Sequence, residues 1–161
     1  NEAAGAPGRL IEMGVEPFLL ASALVGVLSQ RLVRLLCKEC REPTEPDPEL
    51  LARLRLTPQM VQGHKLYAGR GCHRCQFTGY RGRRAIVELM EVNDTIRHHI
   101  THHQPTTVIR ESAIQNGMVP LYRDALRLVL TGETSLEEVL RVVANDVDEA
   151  PESPAYSAEV A

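Results

Sequence analysis

Two short stretches decide how this chain is read: Cys37-Lys38-Glu39-Cys40 and Cys72-His73-Arg74-Cys75, which hold all four cysteines of the 161 residues and are separated by residues 41–71. A Cys-x-x-Cys knuckle turns two thiolates to one side of a tight turn. Two knuckles then supply the four sulfur ligands, at about 2.3 Å, of a tetrahedral zinc site. The spacer is longer than in common zinc ribbons, but doubling a loop costs only about 0.6 kcal/mol, which is small beside a zinc-binding free energy on the order of 10 kcal/mol. Two alternatives share the pattern. A pair of disulfides requires an oxidising compartment, and the opening Asn-Glu-Ala-Ala-Gly-Ala-Pro-Gly lacks the basic and apolar regions of a secretory leader. A redox dithiol needs a βαβ setting and leaves two thiols surplus. The expected metal ligands are Cys37, Cys40, Cys72 and Cys75, and four thiolates close the coordination shell, so the expected Zn2+ is structural and no catalytic residue is assigned. His64 and His73 lie close in sequence, but either one as a ligand makes a cysteine redundant.

Outward from the knuckles the charge is uneven. The net charge is only −3, yet residues 53–84 contain no Asp or Glu and carry Arg53, Arg55, Lys65, Arg70, Arg74, Arg81, Arg83 and Arg84. The far end carries Asp146, Asp148, Glu149, Glu152 and Glu159. The basic run reads either as a solvated face in an arginine-rich chain or as a docking face for an acidic partner.

Residues 1–36 read as two helical segments. The first ends at Met13-Gly14 and the second starts at Pro17. In the second, Leu20, Leu24, Val27, Leu28, Leu32 and Leu35 recur at steps of three and four and predict one apolar helical face that must pack on something. Residues 41–48, with three prolines, read as an extended connector. Short helices are expected over 49–54 and from Thr57-Pro58, a short strand over 65–68, and a turn at Gly69-Arg70-Gly71. A half-buried strand is expected over 84–92, with Ala85, Val87 and Leu89 on one side and Ile86, Glu88 and Met90 on the other. Three helices should follow, capped by Asn93-Asp94, opened by Pro105-Thr106-Thr107, and spanning 120–130. Thr134-Ser135-Leu136-Glu137 reads as a capping box before Val139, Leu140 and Val143, and 145–161 is expected to be a disordered acidic tail. The pairs His98/His102 and His99/His103 have i, i+4 spacing, which suits either a solvated helix face or a transition-metal chelate. The longest apolar run, 18–28, is too short to span a bilayer core of about 30 Å, so a cytoplasmic location is expected.

No Gly-x-x-x-x-Gly-Lys-Ser/Thr occurs, and the only lysines are Lys38 and Lys65, so nucleotide hydrolysis by this stretch alone is not expected. Composition and spacing therefore lead to a zinc-stapled helical module with a basic patch. A nucleic-acid-binding zinc module is the alternative, with Tyr67, Phe77 and Tyr80 interleaved among the arginines for stacking.

Four stretches resemble the C-terminal portion of the secretion ATPases of type II secretion and type IV pilus assembly. They are Arg9-Leu10-Ile11-Glu12-Met13-Gly14-Val15-Glu16-Pro17-Phe18-Leu19-Leu20, Gln30-Arg31-Leu32-Val33-Arg34-Leu35-Leu36-Cys37, Gly71-Cys72-x-x-Cys75 with Thr78-Gly79-Tyr80-Arg81-Gly82-Arg83, and Thr134-Ser135-Leu136-Glu137-Glu138-Val139-Leu140-Arg141-Val142. Phe18-Leu19-Leu20 and Leu36-Cys37 look nearer the type II branch. Pro7-Gly8 stands where the family continues a helix, and Arg84-Ala85 where it carries Thr-Gly. The resemblance implies a mainly α fold with a small zinc-stapled β element, forming the C-terminal fragment of a RecA-like α/β motor domain. Residues 1–36 would be the last helices of the motor core, 37–92 the tetracysteine subdomain, 93–144 a C-terminal helical subdomain and 145–161 the tail. It also implies a parent that binds ATP and Mg2+, forms a homo-hexamer, powers pseudopilus assembly, and sits at the inner face of the bacterial inner membrane through platform proteins, without nucleic acid as a partner. Gln30, Arg31 and Arg34 match its motif without a derivable role.

Overall fold

In the computed structural model, which describes residues 2–148, the helices are α1 (Ala6–Glu12), α2 (Pro17–Ala23), α3 (Pro48–Arg53), α4 (Pro58–Val61), α5 (Asp94–Thr101), α6 (Thr106–Gln115), α7 (Leu121–Leu130) and α8 (Leu136–Asp148). The strands are β1 (Gly26–Leu36), β2 (Arg41–Pro43), β3 (Tyr67–Gly69) and β4 (Tyr80–Glu91). The chain forms two compact units: Asn1–Arg31 with Val87–Leu121, and Leu32–Ile86 with the chain from Tyr122 onward. α8 runs to Asp148, so the first residues of the expected tail are helical, and 149–161 lie outside the described residues. No helix among the described residues is long and apolar enough to cross a membrane.

Pro17 opens the second helix, as expected, and the first helix runs through Pro7-Gly8. Pro7 and Pro17 lie in the first turns of α1 and α2, where a missing N–H costs nothing. α1 closes at Met13, and Gly14, at φ +96°, donates to the Ile11 carbonyl. The second helix departs from expectation. It stops at Ala23, Leu24 is extended, and residues 26–36, read as its continuation, form β1. Val25-Gly26-Val27 explains the break, since two β-branched residues flank the weakest helix former after proline. Periodicity alone could not see the partner strand. β1 pairs with β4; Val92 donates to the Val25 carbonyl at one end, and Cys37 donates to the Gly79 carbonyl at the other, both at 2.9 Å. These two bonds make the ribbon antiparallel. β4 begins at Tyr80, four residues before the expected strand, and turns Ile86, Glu88 and Met90 inward while Val87 and Leu89 stay exposed.

The first unit closes over Leu20, Ala21, Met90, Val92, Ile96, Ile100, Ile109 and Ala113. α5 packs on α2 and α6, and Asn93 caps it by accepting from the Ile96 N–H at 3.0 Å. Buried Glu88 accepts from the amides of Ala3 (2.8 Å) and Leu121 (3.3 Å). Two helical starts are thereby satisfied by one carboxylate.

In the second unit, β2 pairs antiparallel with β3 through Arg41↔Gly69, Glu42↔Ala68 and Pro43↔Tyr67, so the first three residues of the expected connector are strand. Asp47 caps α3 by accepting from the Glu49 amide, and α3 packs on α8. The start of α8 is where the capping box was expected, shifted by one residue. Ser135 accepts from the Glu138 amide at 3.3 Å, whereas buried Thr134 donates to the Arg34 carbonyl at 2.8 Å. Thr134-x-x-Glu137 and Ser135-x-x-Glu138 both fit the pattern, and packing against β1 selects the second.

Candidate metal centre

Each cysteine is placed by a short local device. Cys37 follows β1, and its carbonyl accepts from Cys40 (3.2 Å) and Arg41 (2.9 Å), closing the first knuckle. In the second knuckle a 3-10 turn spans His73–Cys75. Gln76 and Phe77 follow at φ +54° and +61°, and the Phe77 amide returns to the Cys72 carbonyl at 2.9 Å. The Thr78 hydroxyl donates to the Cys75 carbonyl at 2.6 Å. The loop that carries the second knuckle is pinched at its base by a pair of glycines. A Cβ on Gly79, already at φ +79°, would lie 2.6 Å from the Gly69 carbonyl oxygen, and one on Gly69 would lie 2.4 Å from the Gly79 oxygen. Only hydrogen fits at either position.

The four Sγ atoms lie within 4.8 Å of one another. Cys37–Cys72, Cys40–Cys75 and Cys72–Cys75 stand 3.9, 3.8 and 3.8 Å apart. A tetrahedron of sulfurs about 2.3 Å from a central ion has edges of about 3.8 Å, so the donor set fits such an ion. Cys37, Cys40 and Cys75 are buried, and Cys72 is half-buried. The amides of Cys72 and Gly79 donate to the Cys75 sulfur at 3.2 and 3.3 Å, as thiolate ligands require. Burial by itself raises the Cys75 pKa, but those two amides and the Cys40 and Cys72 thiols bring it down to about 6. Cys40 is pushed up to about 12 by burial, with the neighbouring thiols adding to the rise against a hydrogen bond from the Gly71 backbone. A divalent cation at the centre would offset that penalty. His64 and His73 are exposed and outside the cluster; the His73 ring packs edge-on against Phe77 at 4.8 Å.

Beside the sulfurs lies a second polar centre that the sequence reading missed. Glu138 is fully buried and accepts from Arg34 through its backbone N–H (2.9 Å), Nε (2.8 Å) and a terminal guanidinium nitrogen (2.6 Å). It also accepts from Arg141 Nε (2.9 Å) and a terminal guanidinium nitrogen (2.6 Å). Burial raises its pKa, but the hydrogen bonds from Arg141 and Arg34 outweigh this and lower it to about 2. The Arg34 guanidinium stacks 4.1 Å above the Tyr80 ring, whose hydroxyl meets Ser135 Oγ at 2.7 Å. Arg34 therefore ties the strand after which Cys37 emerges to α8, which gives that motif residue a structural role, while Gln30 is exposed. In the sequence Glu138 stood out only as a member of the family-like stretch Thr134–Val142.

The basic run stays largely at the surface. Arg74, Arg81 and Arg83 are exposed, whereas Arg84 pairs with Glu133. Of the three aromatics considered for stacking, Tyr80 lies under Arg34 and Tyr67 under Arg41 at 5.0 Å. Phe77 alone of the three is exposed, at 66%.

Residues 1–141 match the family described as Type II/IV secretion system protein. The chain is 54% identical over 140 residues to a type IV pilus assembly ATPase of Thermus thermophilus, covering 87% of this chain and 16% of the relative. It is 44% identical over 142 residues to a type II secretion system ATPase E of Vibrio cholerae, covering 88% and 28%. With a type II secretion system protein E of Pectobacterium carotovorum it shares 42% over 146 residues, covering 91% and 28%. The chain thus spans less than a third of the length of each of these relatives. Relatives from both branches match, and of these three the pilus-assembly ATPase has the higher identity, so the wording at residues 18–20 and 36–37 is not by itself a guide to the branch.

Proposed function

Because this chain belongs to the Type II/IV secretion system protein family, we propose that it is the C-terminal part of a motor ATPase that drives type II secretion, or the related pilus assembly. In it Cys37, Cys40, Cys72 and Cys75 hold one structural Zn2+. The clustering of four thiols from two distant knuckles supports the metal role. The ion would lock the ends of β1, β3 and β4 to one point and so rigidify the module. The nucleotide and Mg2+ would be bound by the rest of a RecA-like, hexameric parent, and this module contributes structure and docking instead of hydrolysis. The exposed arginines Arg74, Arg81 and Arg83 are the proposed contact with the acidic side of an inner-membrane platform, placing the motor at the cytoplasmic face of that membrane.

Deleting the gene in its host is the test. The proposal expects secreted proteins to stay inside the cell if the motor serves type II secretion, or surface pili to disappear if it serves the pilus. Cys72→Ser/Cys75→Ser should reproduce the deletion. Secretion and piliation both intact after deletion would overturn the reading. Reversal of Arg74, Arg81 and Arg83 to Glu should reduce capture by the cytoplasmic domains of the platform, and unchanged capture would remove the docking part. The nucleic-acid reading is not favoured, since two of its three aromatics are occupied by the chain's own arginines.

A further inference from the structure

We propose that His98, in α5, and His102, its C-cap, form a second metal site, separate from the cysteines, that takes a late first-row divalent ion such as Ni2+, Cu2+ or Zn2+ through two imidazole nitrogens. The two residues are one helical turn apart, both are exposed, and their rings lie 4.0 Å apart between centroids at an interplanar angle of 35°. Two imidazoles bound to one ion at about 2.1 Å on adjacent coordination positions bring their donor nitrogens to about 3 Å from each other. Rings this close reach that separation by small side-chain rotations.

The second observation concerns the proton. His102 Nδ1 is 2.9 Å from the His98 carbonyl oxygen. A carbonyl only accepts, so Nδ1 carries the hydrogen and Nε2 presents its lone pair. Ligand histidines characteristically have this arrangement, with one ring nitrogen tied to a backbone oxygen and the other turned to the ion. The other pair of equal spacing, His99 and His103, is not built this way. His102 is the C-cap of α5 and its amide still donates to the His98 carbonyl at 3.1 Å, whereas His103, one residue further on, turns away at φ +51°, and His99 Nδ1 is buried without a hydrogen-bond partner. The structure thus selects one of two pairs that sequence spacing treats alike. Asp94, one turn before His98, accepts from Arg97 at 3.2 Å, so the ligands are two nitrogens with water completing the shell. Such a set prefers late transition metals to Mg2+ or Ca2+.

The experiment uses the 161-residue chain loaded with one equivalent of Zn2+ to saturate the thiols, then titrated with Ni2+. Calorimetry should find one further site. In NMR spectra of the unmodified chain, paramagnetic broadening should centre on the imidazole signals of His98 and His102. His98→Gln and His102→Gln should each weaken Ni2+ binding at least about tenfold, while His103→Gln leaves it within about twofold. Broadening centred on His64 or His73, or affinity unchanged in both glutamine variants, overturns the proposal. The broadening experiment needs no variant, so a folding defect in either one cannot mask the outcome.

Discussion

The two units of the molecule share an aliphatic interior and differ in what is added to it. The first closes over aliphatic side chains from α2, α5, α6 and the end of β4, with one buried carboxylate satisfying two amides. The second also buries aliphatic side chains, among them Val33, Leu54, Ile86, Leu128, Val129 and Val139, and adds four clustered thiols and a buried Glu138 clamped by two arginines. Their surfaces differ in the same sense. Among the described residues, the large apolar side chains left exposed include Met13, Phe18, Leu19, Val25, Leu28, Leu89 and Val119 in the first unit, but only Leu32 and Phe77 in the second. The first unit presents apolar side chains beyond those it buries, whereas the knuckle loops of the second, whose own buried cluster consists of cysteines, depend on a staple.

The largest effect should come from the staple. Removing the metal with a chelator, or making Cys72→Ser/Cys75→Ser, withdraws a binding free energy on the order of 10 kcal/mol. Hydrogen exchange should then show amides of β2, β3 and α3 losing protection while Ile96 and Ile100 in α5 keep theirs. Simultaneous loss in both units would erase the contrast.

The converse probe is Ile96→Ala, which opens the fully buried centre of the first unit and should cost about 2–5 kcal/mol in denaturant unfolding. That cost should be the same with and without chelator.

Acid sharpens the comparison further. Glu138 has its pKa lowered from 4.5 to about 2 in the folded chain, so the unfolded state binds the proton more readily. The resulting stabilisation, about 3 kcal/mol, is fully present above about pH 5 and is lost as the pH falls toward 2. Melting curves of the second unit should follow that decline, and Glu138→Gln should flatten it while lowering stability at neutral pH. A wild-type profile flat from pH 5 to 3 would contradict the assignment.

The smallest effect is expected from the exposed apolar side chains. Phe18→Ser and Leu89→Ser should change unfolding free energy by no more than about 0.5 kcal/mol, while reducing self-association in sedimentation experiments. A large stability loss would mean these side chains are part of the core.

What the sequence disclosed follows the same division. The cysteine quartet could be read from spacing, because the chemistry of four thiolates is local to two knuckles. The stop at Gly14 and the cap at Asn93 could also be read, since each is a backbone requirement met by one residue. β1 could not: its apolar residues fit helical spacing, and what decides its conformation is pairing with a strand more than forty residues away. The same limit hid Glu138. The capping box was expected at Thr134–Glu137, and the cap falls one residue later, where Arg34 from β1 holds Glu138. Gly69 and Gly79 looked like ordinary turn residues until their backbones were seen to touch.

The central claim is that Cys37, Cys40, Cys72 and Cys75 share one ion. Native mass spectrometry of the purified chain, read together with thiol alkylation, tests it most directly. The account predicts a zinc ion carried at the cysteines and four thiols that resist alkylation until a chelator is added. A bare polypeptide mass with all four thiols reacting at once would contradict it.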